Sequence, residues 1–119
     1  MQYLYIIIDD DHQNVQEILN KVEHFPEYFC AGIADNREQA LNMILELRPH
    51  VVFLGITPLS NKSNLSLFII IELYRYLNTL PLFVVMADTP KLALDAIKTG
   101  VFDYLLKPLN KPDIIKCLL

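Results

Sequence analysis

The sequence predicts an α/β fold in which a doubly wound parallel sheet carries helices on both faces. Three observations carry this expectation. Short apolar runs alternate with segments of helical period five times along the 119 residues. The runs are β-branched or aromatic, as strands buried on both faces are. Proline and glycine punctuate the joints. Strict alternation of strand and helix implies right-handed crossovers between parallel strands.

Strands are expected over residues 4–8, 28–34, 51–54, 82–86 and 103–106. Between the first two, Val15, Ile18, Leu19 and Val22 recur at helical spacing and form one apolar face. Ala40, Leu41, Ile44 and Leu47 do the same in the second helix, and Leu92, Ala93, Ala96 and Ile97 in the fourth. Ile114, Ile115 and Leu118 mark the fifth. The third segment, 65–77, is apolar almost throughout and too long for a strand, so it is expected to be a largely buried helix. Pro49 and Pro81 precede strands, while Pro90 and Pro112 suit first turns of helices. Gly100 suits the left-handed position that ends a helix. A flexible loop is expected over residues 59–64.

At 119 residues the chain is one domain, with 53% hydrophobic content and a net charge of −4. That charge argues against a nucleic-acid surface, since the only basic clustering is a loose one around Lys107, Lys111 and Lys116. No segment is long enough to span a bilayer. The apolar run 4–8 leads into three aspartates without a basic leader, so it is no signal peptide. Cys30 and Cys117 lack metal-ligand spacing and read as buried reduced thiols of a cytoplasmic protein. The chain stops inside an apolar helical segment, which suggests the N-terminal part of a longer protein.

Ligands of such sheets bind beyond the carboxyl ends of the strands. The residues there are Asp9-Asp10-Asp11, Asp35, Gly55-Ile56-Thr57, Ala87-Asp88 and Lys107-Pro108. The three aspartates have two readings. Asp11 caps the next helix while its neighbours face water, or the cluster is a hard-cation site suited to Mg²⁺. Lys107 adds a cation across the same sheet edge. Gly55 is the anomaly, because glycine at a strand end weakens it by roughly 0.5–1 kcal/mol relative to alanine.

Over its whole length the sequence resembles response-regulator receiver domains, the CheY-like modules of bacterial two-component phosphorelay signalling. The stretches IIIDDD (6–11), RPHVVFLGI (48–56), PLFVVMA (81–87) and GVFDYLLKPL (100–109) carry the resemblance. It implies a flavodoxin-like five-stranded sheet of order 2-1-3-4-5. It also implies that Asp9 and Asp10 hold Mg²⁺, and that an aspartate after the third strand accepts a phosphoryl group from a histidine kinase. A hydroxyl after the fourth strand and Lys107 would bind that group, with Tyr104 as the switch aromatic. FDYLLKPL further resembles receivers attached to LytTR-type DNA-binding output domains.

The departures decide the functional expectation. Gly55 falls on the phosphoacceptor position and Met86 on the hydroxyl position, and the loop after Gly55 is altered as well. A pseudo-receiver is therefore expected: not an enzyme, independent of phosphorylation, and with Mg²⁺ bound weakly at best. Lys107 is expected to pair with Asp9 or Asp10. Its partners would be proteins: an output domain, a histidine kinase, or a second copy through the face formed by residues 90–119. Phe102, Tyr104, Leu105 and Leu109 lie on that stretch, with Phe102 and Leu105 read as core. One alternative keeps phosphorylation through Asp10 or Asp88, though neither aligns with the acceptor. Another is a flavodoxin-like nucleotide or cofactor enzyme, disfavoured because the acids after the first strand would repel a phosphate. His12, His24 and His50 read as surface residues.

Overall fold

The computed structural model describes residues 2–57 and 64–118. Most of the loop expected over 59–64 lies outside the described residues. In chain order the elements are β1 (Tyr3–Ile8), α1 (His12–Val22), β2 (Tyr28–Ala34), α2 (Arg37–Leu47), β3 (Val51–Gly55) and α3 (Phe68–Leu73). There follow β4 (Leu82–Ala87), a 3-10 turn (Pro90–Leu92), α4 (Ala93–Thr99), β5 (Asp103–Leu106) and α5 (Lys111–Leu118). All strand pairs are parallel, in the order β2-β1-β3-β4-β5.

Period two along each strand sorts the core into two layers. Ile6, Ile8, Val52, Leu54, Phe83 and Val85 pack with Ala40 and Ile44 of α2 and Ile69, Ile70 and Leu73 of α3. Tyr5, Ile7, Phe53, Val84 and Leu105 pack with Val15, Ile18 and Val22 of α1 and Ile114 and Leu118 of α5. Helix ends follow local chemistry. Asp11 caps α1 by accepting from the Asn14 N–H at 3.2 Å, and Asn36 caps α2 through Gln39 at 2.9 Å. Gly100 ends α4 at φ +91°, a left-handed conformation that favours glycine.

Three expectations are corrected. The helix expected over 65–77 is helical only from Phe68 to Leu73. Leu67 offers no side-chain cap, and after Leu73 the backbone tightens, with Tyr74 N–H bonding Ile71 O and Arg75 N–H bonding Glu72 O. Ile97, assigned to the buried face of the fourth helix, is 67% exposed, and Ala96 alone is fully buried there. Phe102 is 53% exposed rather than core, because it precedes β5 and no helix covers it.

The α1/α5 layer makes the fold sensitive to alkali. Burial pushes the Tyr5 hydroxyl from 10.0 up to about 12. Burial, reinforced by the Asp103 carboxylate 3.2 Å from its sulfur, raises the Cys117 thiol from 9.0 to about 12. Both groups keep their protons in the folded chain at pH values where the unfolded chain has lost them. Their contribution is complete below about pH 9 and is lost as the pH rises towards 12. Thermal melts should show stability falling from about pH 9 upward, with a shallower fall in Tyr5→Phe; an equal fall in that variant would contradict the assignment.

Candidate functional site

Strand parity assembles the site. Ile7, Phe53, Val84 and Leu105 face α1 and α5. Two residues further along each strand, the same face therefore receives Asp9, Gly55, Met86 and Lys107 at the carboxyl edge of the sheet. The backbone is pinned there. Asp9 N–H donates to Ala34 O at 3.0 Å, Ile56 N–H to Met86 O at 2.9 Å, and Lys107 N–H to Ala87 O at 2.7 Å. Gly55 lies opposite Met86 in the β3–β4 register. The Lys107–Pro108 peptide is cis.

Asp9 is the centre of this edge. Its side chain is fully buried, and both carboxylate oxygens are bonded. Lys107 Nζ lies 3.0 Å from Oδ2 and 3.2 Å from Oδ1. Asn14 Nδ2 donates to Oδ2 at 2.8 Å, and the Asp11 N–H donates to Oδ1 at 3.0 Å. Lys107 is itself only 12% exposed and lies 3.7 Å from Asp11 Oδ2. Of the two partners expected for Lys107, Asp9 takes the role. Asp10 is exposed, and the second carboxylate near Lys107 is that of Asp11.

At Gly55 the absent side chain is replaced by a neighbour's. A Cβ built there would lie 2.2 Å from Asp9 Oδ2, 2.3 Å from Cγ and 2.6 Å from Oδ1. The carboxylate of Asp9 thus stands where a side chain at position 55 would begin. Met86, fully buried, presents its sulfur 3.5 Å from Asn14 Nδ2 and brings no hydroxyl to the edge.

Asn14 is the residue that sequence reasoning missed. It shares a helical face with Ile18 and Val22, at spacings of four, where an apolar residue is expected. A buried amide on that face was the available signal, since buried polar groups need partners. The amide's partner is Asp9.

The residues present do not fit a resident Mg²⁺. A hard cation wants several converging oxygens, yet Asp9 spends both of its oxygens on Lys107, Asn14 and a backbone N–H. Gly55 supplies none, which leaves Asp10 and backbone carbonyls. Among the described residues no group of three or more His, Cys, Asp or Glu is arranged to hold a metal ion. Beside the pair, a cleft of about 470 Å³ is lined by Asp10, Asp11, Glu17, Thr57, Asp88 and Lys107. Four acids against one paired lysine give it a negative field, unfavourable to a free phosphoryl group.

Tyr104 lies on the opposite parity, half-buried against the α2/α3 layer, where its hydroxyl donates to Thr89 O. Burial raises that hydroxyl above its ordinary value. Leu105 and Leu109 are core. The surface of α4 and β5 carries Leu94, Ile97, Phe102 and Leu106, all exposed. A separate groove of about 620 Å³ between α3 and α4 is lined by Leu65, Phe68, Ile71 and Tyr74, with Asp95 and Lys98 among its polar residues. His12, His24 and His50 are exposed, and Cys30 and Cys117 are half-buried free thiols. No described helix is long and apolar enough to cross a membrane.

Comparison with known proteins agrees with this architecture. The family model "Response regulator receiver domain" matches residues 6–119. The sensory transduction protein LytT of Bacillus cereus is 29% identical over 113 residues, covering 95% of this chain and 44% of that protein. An uncharacterised response regulatory protein of Vibrio cholerae is 31% identical over 116 residues, covering 93% of this chain and 42% of that protein. The chain therefore spans less than half the length of these curated relatives. Among solved structures, the response regulatory domain of mrkE from Klebsiella pneumoniae superposes with a TM-score of 0.83 at 22% identity, covering 97% of this chain and 91% of that one. The fold, the edge of the sheet on which the acids and the lysine meet, and a family match over nearly the whole sequence lead to one conclusion: this chain belongs to the response regulator receiver domain family.

Proposed function

We propose that this chain is a receiver that signals without being phosphorylated and acts through protein contacts. One observation carries the reading. Position 55 offers no nucleophile, and the space in front of it is already filled by the Asp9 carboxylate. Met86 in place of a hydroxyl, and a cleft whose acids outnumber its one lysine, support the same conclusion. No bond-making step remains for the site to perform, so the domain is a binding module and not an enzyme.

Beryllofluoride with Mg²⁺ mimics an aspartyl phosphate and tests this directly. Amide spectra of the chain should be unchanged on its addition. Shifts centred on residues 55–57, 86–88 and 107 would contradict the reading. Shifts confined to Asp10 or Asp88 would contradict it too, in favour of an alternative acceptor.

The contact surface is the exposed apolar patch of α4 and β5. It is set in a stretch, residues 90–119, that holds five of the ten Lys and Arg residues: Lys91, Lys98, Lys107, Lys111 and Lys116. Large apolar side chains left exposed on neighbouring elements mark an association surface. We place a second copy there, with the remainder of a longer cytoplasmic regulator, its output domain, joined in sequence. Phe102→Asp should weaken self-association roughly 30-fold or more, as loss of a central aromatic anchor does. Sedimentation equilibrium reads this, and an unaltered chain that stays monomeric at high concentration would contradict it.

A further inference from the structure

We infer that Asp9 is a built-in anion that permanently occupies the phosphoacceptor's place, and that Gly55 is the residue that admits it. The inference rests on the phosphorylation-independent reading and adds what fills the vacated site. Asp9 and Gly55 follow neighbouring strands, β1 and β3, at the same edge and on the same face. The three atoms nearest a Cβ at position 55 all belong to the Asp9 carboxyl group, at 2.2–2.6 Å. Real Cβ atoms do not approach others so closely. The inward pose of Asp9 and any side chain at position 55 are therefore mutually exclusive.

The inward pose is also fully supported. A buried carboxylate is tolerated when its charge is paired and its lone pairs are bonded. Asp9 meets both conditions through Lys107, Asn14 and the Asp11 N–H. Asn14 acts here as a positioning residue: it is buried on α1, and its amide fixes Asp9 Oδ2. Met86 closes the pocket behind that amide. The ion pair joins residues 98 positions apart, tying the end of β1 to the segment after β5. With its ammonium held at 3.0 and 3.2 Å from the two oxygens, Lys107 is already satisfied and is not offered to an incoming phosphoryl group. The site carries its own ligand and holds one arrangement.

Mutual exclusion predicts a specific pattern of non-additivity. Asp9→Ala should lower Tm by roughly 10–20 °C, because it leaves Lys107 nearly buried with only the more distant, half-exposed Asp11 carboxylate at 3.7 Å. Gly55→Ala should lower Tm by a similar amount, by expelling Asp9. In the Asp9→Ala background, however, Gly55→Ala should lower Tm by no more than about 2 °C further, since nothing is left to expel. Asp9→Ala combined with Gly55→Asp should recover most of the loss, because the new carboxyl carbon is one carbon–carbon bond, about 1.5 Å, from a Cβ that itself lies 2.3 Å from the Asp9 carboxyl carbon. Losses that simply add, with no recovery in the exchanged pair, would overturn the inference.

Should a variant fail to fold, the unaltered chain supplies a second readout. Under limiting acetic anhydride, followed by peptide mass spectrometry, Lys107 should acetylate at least tenfold more slowly than exposed Lys91 and Lys98. Equal rates would overturn the inference. Neither outcome depends on phosphorylation. An additive cycle in a chain that beryllofluoride leaves unchanged removes the Asp9 device alone, whereas a beryllofluoride response removes the reading beneath it.

Discussion

Gly55→Asp, introduced alone, should convert a chain indifferent to Mg²⁺ into one whose stability depends on it. The new side chain would begin 2.2–2.6 Å from three atoms of Asp9, so the two carboxylates cannot keep their places. Lys107 can pair with only one of them in the present geometry, and the loser must turn towards exposed Asp10. Without a cation the edge then holds an uncompensated cluster of acids, with a loss of about 3–5 kcal/mol expected for a buried charge deprived of its partner. The same cluster is a hard-cation site. Mg²⁺ at a hundred times its dissociation constant should return about 2.7 kcal/mol. Melts with and without millimolar MgCl₂ check this, with the unaltered chain as the flat control. Phosphoryl transfer to the new carboxylate should be only partial, because Met86 supplies no hydroxyl; complete transfer with Met86 in place would contradict the role given to it.

Lys107→Met should be the most damaging single substitution of a charged residue among those considered. It leaves the fully buried Asp9 carboxylate with Asn14 and one backbone N–H but no counter-charge. Removing one partner of a buried pair costs about 3–5 kcal/mol. Lys91→Met, on the exposed 3-10 turn, should change stability by no more than about 0.5 kcal/mol. Urea denaturation of the two variants separates a buried tie from a solvated lysine. Comparable small losses would mean that water screens the Asp9–Lys107 pair.

The fold was legible because its signals are local and repeated. Each strand is a compact apolar run, and the observed strands extend the expected ones by a residue at most at either end. The helix ends were equally plain: Asp11 at α1, Pro90 ahead of α4, and Gly100 after it. Where periodicity is lost, so is legibility. Residues 65–77 are apolar almost throughout, and nothing in that run marks that the helix stops at Leu73. Ile97 and Phe102 were misplaced for a related reason. Their exposure depends on which elements cover α4 and β5, and hydrophobicity alone does not report that.

At the site, the missing side chain of Gly55 was legible but the group that stands in its place was not. Gly55 and Met86 stand out against the receiver pattern in the bare sequence. That Asp9 turns inward follows from strand parity carried two residues beyond Ile7, together with the lack of a Cβ on the next strand. Both facts are in the sequence, but they become one fact only when β1 and β3 are placed side by side. Asn14 needed the same step, since a lone amide on an apolar helix face declares no partner until the sheet edge is built beneath it.

Intact-mass spectrometry reads whether Asp9 closes the phosphorylation site of this receiver. The chain is incubated with acetyl phosphate or phosphoramidate and Mg²⁺, and the mass is read before hydrolysis can remove an acyl phosphate. No phosphoryl adduct is expected under conditions that fully label a receiver bearing the aspartate. A stoichiometric adduct, on Asp9 or on any other carboxylate of this edge, would contradict that closure.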